Sequence, residues 1–156
     1  PFNLDFVREI IEQAAIVYNS KKSGILELGG GVPKNTAQQT GPLLDQILRK
    51  DHGGQDYIIQ ITDARPDTGG LSGATLQVGK SWGKVQDSHE DLITVYTDST
   101  IAFPLLALYA LSNEESREQK RIYKNLDKYY KSLQDSANKV PDKFADILKK
   151  SDINLD

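Results

Sequence analysis

Residues 23–31 read "SGILELGGG". Ile25 to Leu28 is a short apolar run that suits a buried strand, and three glycines cut it off. Two similar runs follow: "DYIIQIT" at 56–62 and "DLITVYTD" at 91–98. Helical patterns surround them. From Leu4 to Tyr18 the apolar residues Val7, Ile10, Ile11, Ala14 and Tyr18 fall on one helix face, with Asn3 as the expected N-cap. "VPKNTAQQ" (32–39) places Pro33 near a helix start, and Gly41-Pro42 should break or kink that helix before "LLDQILRK" resumes it. "STIAFPLLALYAL" (99–111) reads as an apolar helix opened by Ser99, with Pro104 near its first turns. The charged segment after Asn113 carries a stripe of Tyr123, Leu126, Tyr130 and Leu133, and Pro141 separates a last short helix.

Strands alternating with helices imply a parallel sheet with right-handed crossovers, an α/β fold. Ligands of such sheets bind beyond the carboxyl ends of the strands. Three unusual segments sit at those ends here: Gly29 to Gly31, "TDA" at 62–64, and "TDS" at 97–99. A long segment without a period, 63–84, leaves from the same edge and ends in "GKSWGK", which holds the single tryptophan of the chain.

Composition narrows the function. Hydrophobic residues make up 38% and charged residues 26%, the balance of a soluble globular domain. A net charge of -3 lacks the basic stripe of a nucleic-acid surface. No apolar run is long enough to span a membrane. Cysteine is absent, which excludes disulfides and thiol chemistry, and no signal peptide is visible; the reading is a cytoplasmic protein. Methionine is absent too, so the sequence is expected to begin inside a longer gene product.

Glycine backbone beside a helix start can meet a phosphate or ribose, and carboxylates such as Asp63 and Asp98 at strand ends can hold ribose hydroxyls. The plainer readings are a glycine turn and helix capping by Asp98 or Ser99. His52 and His89 lie in polar contexts and read as surface residues. No His/Cys/Asp cluster has metal spacing, so no metal is expected. Lys84 draws most attention. A free lysine titrates near 10.4, so only about one in a few thousand is neutral at pH 7. To attack an imine carbon it must be dried or placed near a second cation. Trp82 offers an apolar wall and Lys80 a candidate second cation. The competing reading is a flexible loop whose Trp packs on the core.

At this point "GGGVPK" (29–34), "SGATLQVGKSWGK" (72–84) and "VYTDSTIAFPLL" (95–106) resemble, in order and spacing, the C-terminal half of deoxyhypusine synthase. The resemblance runs from about residue 3 to residue 111. It implies a Rossmann-like fold that is part of a larger domain, with residues 1–112 as the C-terminal half of that domain and 113–156 as a charged helical extension. It also implies NAD as cofactor and Lys84 as the residue that carries a covalent imine. Gly30, Gly31, Asp63, Ala64, Ser72, Asp98 and Ser99 would line the NAD site, and Asn35, Gly69, Gly70, Leu71, Val78 and Trp82 the polyamine site. The family has a histidine where this chain has Asn35, acidic residues at Leu71 and Val78, and an asparagine at Gln39. These departures point to the bacterial deoxyhypusine synthase-like branch. The implied activity moves an aminobutyl group from a spermidine-like polyamine to a lysine of a translation factor precursor or to a small amine. Family members are tetramers, so a homo-oligomer is expected. The alternative is an inactive family member that binds and regulates a partner subunit.

Overall fold

The computed structural model describes residues 5–85, 92–113 and 118–139. Within them β1 (Gly24–Leu28), β2 (Tyr57–Thr62) and β3 (Leu92–Tyr96) form one parallel sheet in the order β1-β2-β3. The helices are α1 (Phe6–Tyr18), α2 (Val32–Gln38), α3 (Thr40–Pro42), α4 (Leu76–Ser81), α5 (Ser99–Asn113) and α6 (Leu126–Ala137). The result is the α/β fold with a parallel sheet that the alternation of patterns predicts, Rossmann-like as the resemblance implies.

Local chemistry accounts for the element ends. Asp5 caps α1 by accepting from the Arg8 N–H at 3.0 Å, and the expected cap Asn3 lies outside the described residues. Pro33 occupies the first turn of α2, where its missing N–H costs nothing. After Gly41-Pro42 the helical path widens into a π turn over Leu43–Ile47, closed by the Leu48 N–H on the Leu43 carbonyl at 2.9 Å. The segment 63–84 is not the structureless loop its lack of period suggests. It holds two 3-10 turns, Pro66–Thr68 and Leu71–Gly73, and then α4. Six residues of helix are too short to display a period.

In a parallel sheet, residues in register share a face. Ile25, Ile58 and Leu92 share one face with Glu27, Gln60 and Thr94, and Leu26, Ile59 and Ile93 share the other with Leu28, Ile61 and Val95. The first face is covered: Ile58, Leu76 and Val85 form a core there with Leu92 against it. The second is largely open. The expectation of a wholly buried β1 is therefore corrected: Leu26 and Leu28 are 44% and 43% exposed, whereas Glu27 is 4% exposed. An edge strand covered on one side alternates, whatever the apolar content of its run.

A second core lies among helices, where Ala14, Ala15, Leu44 and Leu133 meet and Ile11, Tyr18 and Tyr129 pack around them. Leu133 brings α6 onto α1, and the Tyr18 hydroxyl donates to Ser136 Oγ at 3.0 Å. Of the expected stripe, Tyr123 is exposed, because it sits in the 3-10 turn Ile122–Asn125 and so falls off the period of α6. The helix expected after Pro141 and the residue His89 lie outside the described residues.

Helix α5 is apolar on every side, yet none of its residues is buried. Ile101, Leu105, Leu108, Tyr109 and Leu111 all face outward, beside the open sheet face. Surfaces of this kind drive association. The 156-residue chain on its own should therefore self-associate at micromolar concentration in light scattering, and replacing Leu105 and Leu108 by Glu and Lys should raise the monomer fraction without loss of helical circular dichroism. A stable monomer before substitution contradicts this reading.

Candidate active site

The placement of Lys84 begins with a helix ending. Gly83, at φ 69°, takes the left-handed conformation that terminates α4. Its N–H donates to the Lys80 carbonyl at 3.0 Å, and the Lys84 N–H donates to the Gly79 carbonyl at 3.0 Å. This pair of bonds is a Schellman motif, and it needs a residue without a Cβ penalty at the turn. The Lys84 carbonyl in turn accepts from the Gln55 N–H at 3.0 Å, and Gln55 is buried with its side chain on Thr40 Oγ1 at 2.9 Å. Both backbone groups of Lys84 are thus fixed. The α3 backbone closes against the same turn, where a Cβ on Gly41 would stand 2.7 Å from the Gly83 carbonyl oxygen.

The side chain is fixed as well. Lys84 Nζ donates to Asn35 Oδ1 at 2.8 Å, which ties the end of the 63–84 segment to α2. Burial pushes the Lys84 amine below its ordinary value, and the Glu27 carboxylate pulls it partly back. Lys34, next to Asn35 on α2, donates to the Ala74 carbonyl at 2.7 Å. Burial lowers it too; Glu27 raises it, and Lys84 lowers it further. Between the two lysines the influence runs from Lys84 onto Lys34, and the charge that acts on Lys84 is the Glu27 carboxylate. Lys34 immediately precedes Asn35, the residue that grips Lys84. Trp82 is 59% exposed, so its ring neither packs in the core nor encloses Lys84. Its indole is left open to solvent at the edge.

The remaining positions divide in two. Gly29 to Gly31, Asp63 with Ala64, and Asp98 with Ser99 all follow strand ends on the carboxyl edge of the parallel sheet. Gly31 lies under the 71–73 turn, where a Cβ on it would come within 3.6 Å of Leu71 Cβ and 3.7 Å of Ser72 Oγ. Gln60 holds that turn by donating to the Ser72 carbonyl at 2.9 Å. Asp98 caps α5, and its Oδ1 accepts from the Thr100 N–H and hydroxyl at 2.8 and 2.7 Å. These bonds hold its carboxyl below the usual value. Leu71, Val78, Gly69 and Gly70 are exposed along the 69–78 stretch. His52 is half-buried, and its backbone N–H donates to Asp45. No group of three metal-ligating side chains is present among the described residues.

Sequence reasoning missed Glu27, Lys34 and Gln38. All three are buried, and Gln38 Nε2 donates to Glu27 Oε1 at 2.5 Å. The available signals were a lone charge inside "ILEL" and the four-residue spacing of Lys34 and Gln38 on α2.

With this geometry in hand, the comparisons are decisive at the level of family. The family model for deoxyhypusine synthase matches residues 1–110. The chain belongs to the deoxyhypusine synthase family. It is 46% identical over 136 residues to a deoxyhypusine synthase-like protein of Nostoc punctiforme, covering 84% of this chain and 35% of that one. A deoxyhypusine synthase-like protein of a second Nostoc strain is 43% identical over 145 residues, 90% of this chain and 38% of the relative. A probable deoxyhypusine synthase 2 of Methanosarcina acetivorans is 42% identical over 119 residues, 76% and 33%. The chain thus spans between 33% and 38% of the length of these relatives.

The Schellman turn makes a specific demand. In the full-length protein, Gly83→Ala should lower stability to urea by about 1–2 kcal/mol, the cost of a Cβ in left-handed backbone, and Gly83→Asn should cost less because Asn tolerates that region. An Ala variant as stable as wild type would show that the turn can be rebuilt without this conformation.

Proposed function

We propose that the chain forms the catalytic part of an NAD-dependent transferase, which moves an aminobutyl group from a spermidine-like polyamine, through an imine on Lys84, to an acceptor amine. The observation that carries this is Lys84 Nζ, partly dried and held on Asn35 Oδ1 of α2, the helix that begins at the glycine turn after β1. Residues 1–112 carry the site in this reading, and the charged segment 113–156 extends it.

Each group has a task. Neutral Lys84 attacks the carbon of the donor imine. A new bond forms from Nζ to that carbon, the bond to the first nitrogen breaks, and the two amine hydrogens pass to the leaving amine. The acceptor amine repeats the exchange and returns the hydrogens to Lys84. The acceptor is a lysine of a translation factor precursor or a small polyamine. Gly30, Gly31, Asp63, Ala64, Ser72, Asp98 and Ser99 would hold NAD, and a Cβ on Gly29 would meet no described atom within 4 Å, which leaves room for a ribose or phosphate beside that backbone. Bound there, NAD supplies the hydride chemistry that opens and closes the cycle. The exposed ring of Trp82 suits an ammonium group on its face. Leu71 and Val78, both exposed, suit the alkyl chain between amines. Asn35 and the open backbone of Gly69 and Gly70 complete that channel. The exposed apolar α5 favours a second reading, a subunit that binds and regulates a partner.

Three measurements test the transferase. Lys84→Arg keeps a charge but cannot form an imine. It should fold and bind NAD as wild type does while losing transfer altogether; normal turnover ends the proposal, and partner binding without turnover in wild type would favour the regulatory subunit. Because burial lowers the Lys84 titration, its neutral fraction is larger at any given pH. The rate should rise with pH and level off before the ordinary lysine range, and a plateau only within that range contradicts a dried Lys84. Asp98→Asn retains an N-cap but removes the charge. NAD affinity in calorimetry should fall by about 1–3 kcal/mol with little change in melting temperature. Unchanged affinity removes Asp98 from the site.

A further inference from the structure

Glu27 is the only charged residue in the three described strands. It points to the covered face of the sheet and is 4% exposed. A carboxylate in such a place is costly unless it is compensated. Gln38 compensates one oxygen at 2.5 Å, but Oε2 has no hydrogen-bond partner among the described residues. A carboxylate that only anchored α2 to β1 would be served as well by a neutral amide. What distinguishes Glu27 is that two ammonium groups, those of Lys34 and Lys84, act on it. Lys34 and Gln38 lie one helical turn apart on the face of α2 that meets β1. Asn35, between them in sequence, holds Lys84. One short helix therefore ties together a buried carboxylate, its own buried Lys34 and the half-buried Lys84.

We propose that Glu27 is a positioning residue for Lys84: a buried counter-charge, locked by Gln38, that sets how readily the Lys84 amine gives up its proton. Its catalytic meaning rests on the transferase reading, but the electrostatic arrangement does not. Burial raises the Glu27 carboxyl above its ordinary value, while the Gln38 hydrogen bond and then the Lys34 and Lys84 ammonium groups pull it back, and Glu27 in turn raises both lysines against their burial. Charged side chains also lie on the other elements around Lys84. Asp45 accepts from the backbone of His52 and Gly53, Asp56 accepts from the Ser23 N–H at 2.8 Å, and Lys80 lies on α4. Of all these, Glu27 on β1 is the charge that acts on the Lys84 amine, and Lys34 on α2, bonded to the Ala74 carbonyl, is acted on by Lys84.

The test reads protonation directly. In the full-length protein, Lys84 is labelled with a trace of acetic anhydride across the lysine titration range, and the label is located by peptide mapping. Glu27→Gln preserves shape and removes the charge. It should shift Lys84 labelling to lower pH, so that at a fixed pH below the midpoint Lys84 labels about threefold to tenfold faster than in wild type. A cluster that merely loosened would wet Lys84 and move labelling the other way, toward ordinary lysine. Either that result or no change overturns the proposal. Should Glu27→Gln fail to fold, the reciprocal measurement applies. Removing the Lys84 cation with Lys84→Gln should shift the Glu27 carboxyl titration upward by carbon NMR, and an unmoved titration overturns the proposal equally. A protein that labels as expected but never transfers sinks the transferase reading and leaves this one standing.

Discussion

A lysine that is to act as a nucleophile must be held in place and kept from full hydration; the bond from Lys84 Nζ to Asn35 Oδ1 holds it, and partial burial lowers its titration. It joins two parts of the chain that share no strand or helix. The helix ending at Gly83 sets the height of Lys84, the Gln55 backbone sets its depth, and α2 receives its side chain. The same α2 begins immediately after the glycines that end β1. The glycine turn, the amide that grips the lysine and the anchor of Glu27 thus sit within ten residues, 29–38. Small movements of this helix would displace all three together, which makes it the mechanical centre of the site.

The covering of the sheet explains how such a polar cluster survives. On one face, α2, the 71–73 turn and α4 exclude water, and the polar groups there are mostly bonded: Gln60 to Ser72, Gln55 to Thr40, Gln38 to Glu27. On the other face Leu26, Leu28, Ile93 and Val95 stay open, and α5 stands beside them with no buried residue. The three described strands leave one face largely bare, and the chain spans 35% of the length of a relative. The side that carries Lys84 is closed by elements of this chain, whereas the opposite side is left largely open.

Much of the fold was legible because parallel strands announce themselves as short apolar runs between helical patterns. Their glycine and Asp-containing ends fall on one edge by topology alone. Other features were hidden for definite reasons. Which face of β1 is buried depends on what covers it, so "ILEL" gave no hint that Glu27 would be inside and its leucines outside. Helix α4 is too short for a period and is defined by its ending at Gly83. Lys80 and Lys84 look like a pair because they are four residues apart, yet the charge that acts on Lys84 is Glu27 of β1, and the lysine that Lys84 acts on is Lys34 of α2, fifty positions earlier. Asp98 was ambiguous between cap and ligand, and the bonds to Thr100 establish the cap while leaving its ligand role to affinity measurements. The resemblance supplied roles for residues whose types alone say little, such as Asn35 and Ser72.

The most direct test of the account is chemical capture at Lys84. Full-length protein is incubated with NAD and a polyamine donor and then treated with borohydride, which reduces an imine to a stable secondary amine. The account predicts a mass increase equal to the aminobutyl group, mapped by peptide sequencing to Lys84. An adduct on Lys80 or Lys34, or no adduct with any polyamine under conditions where NAD binds, would contradict it.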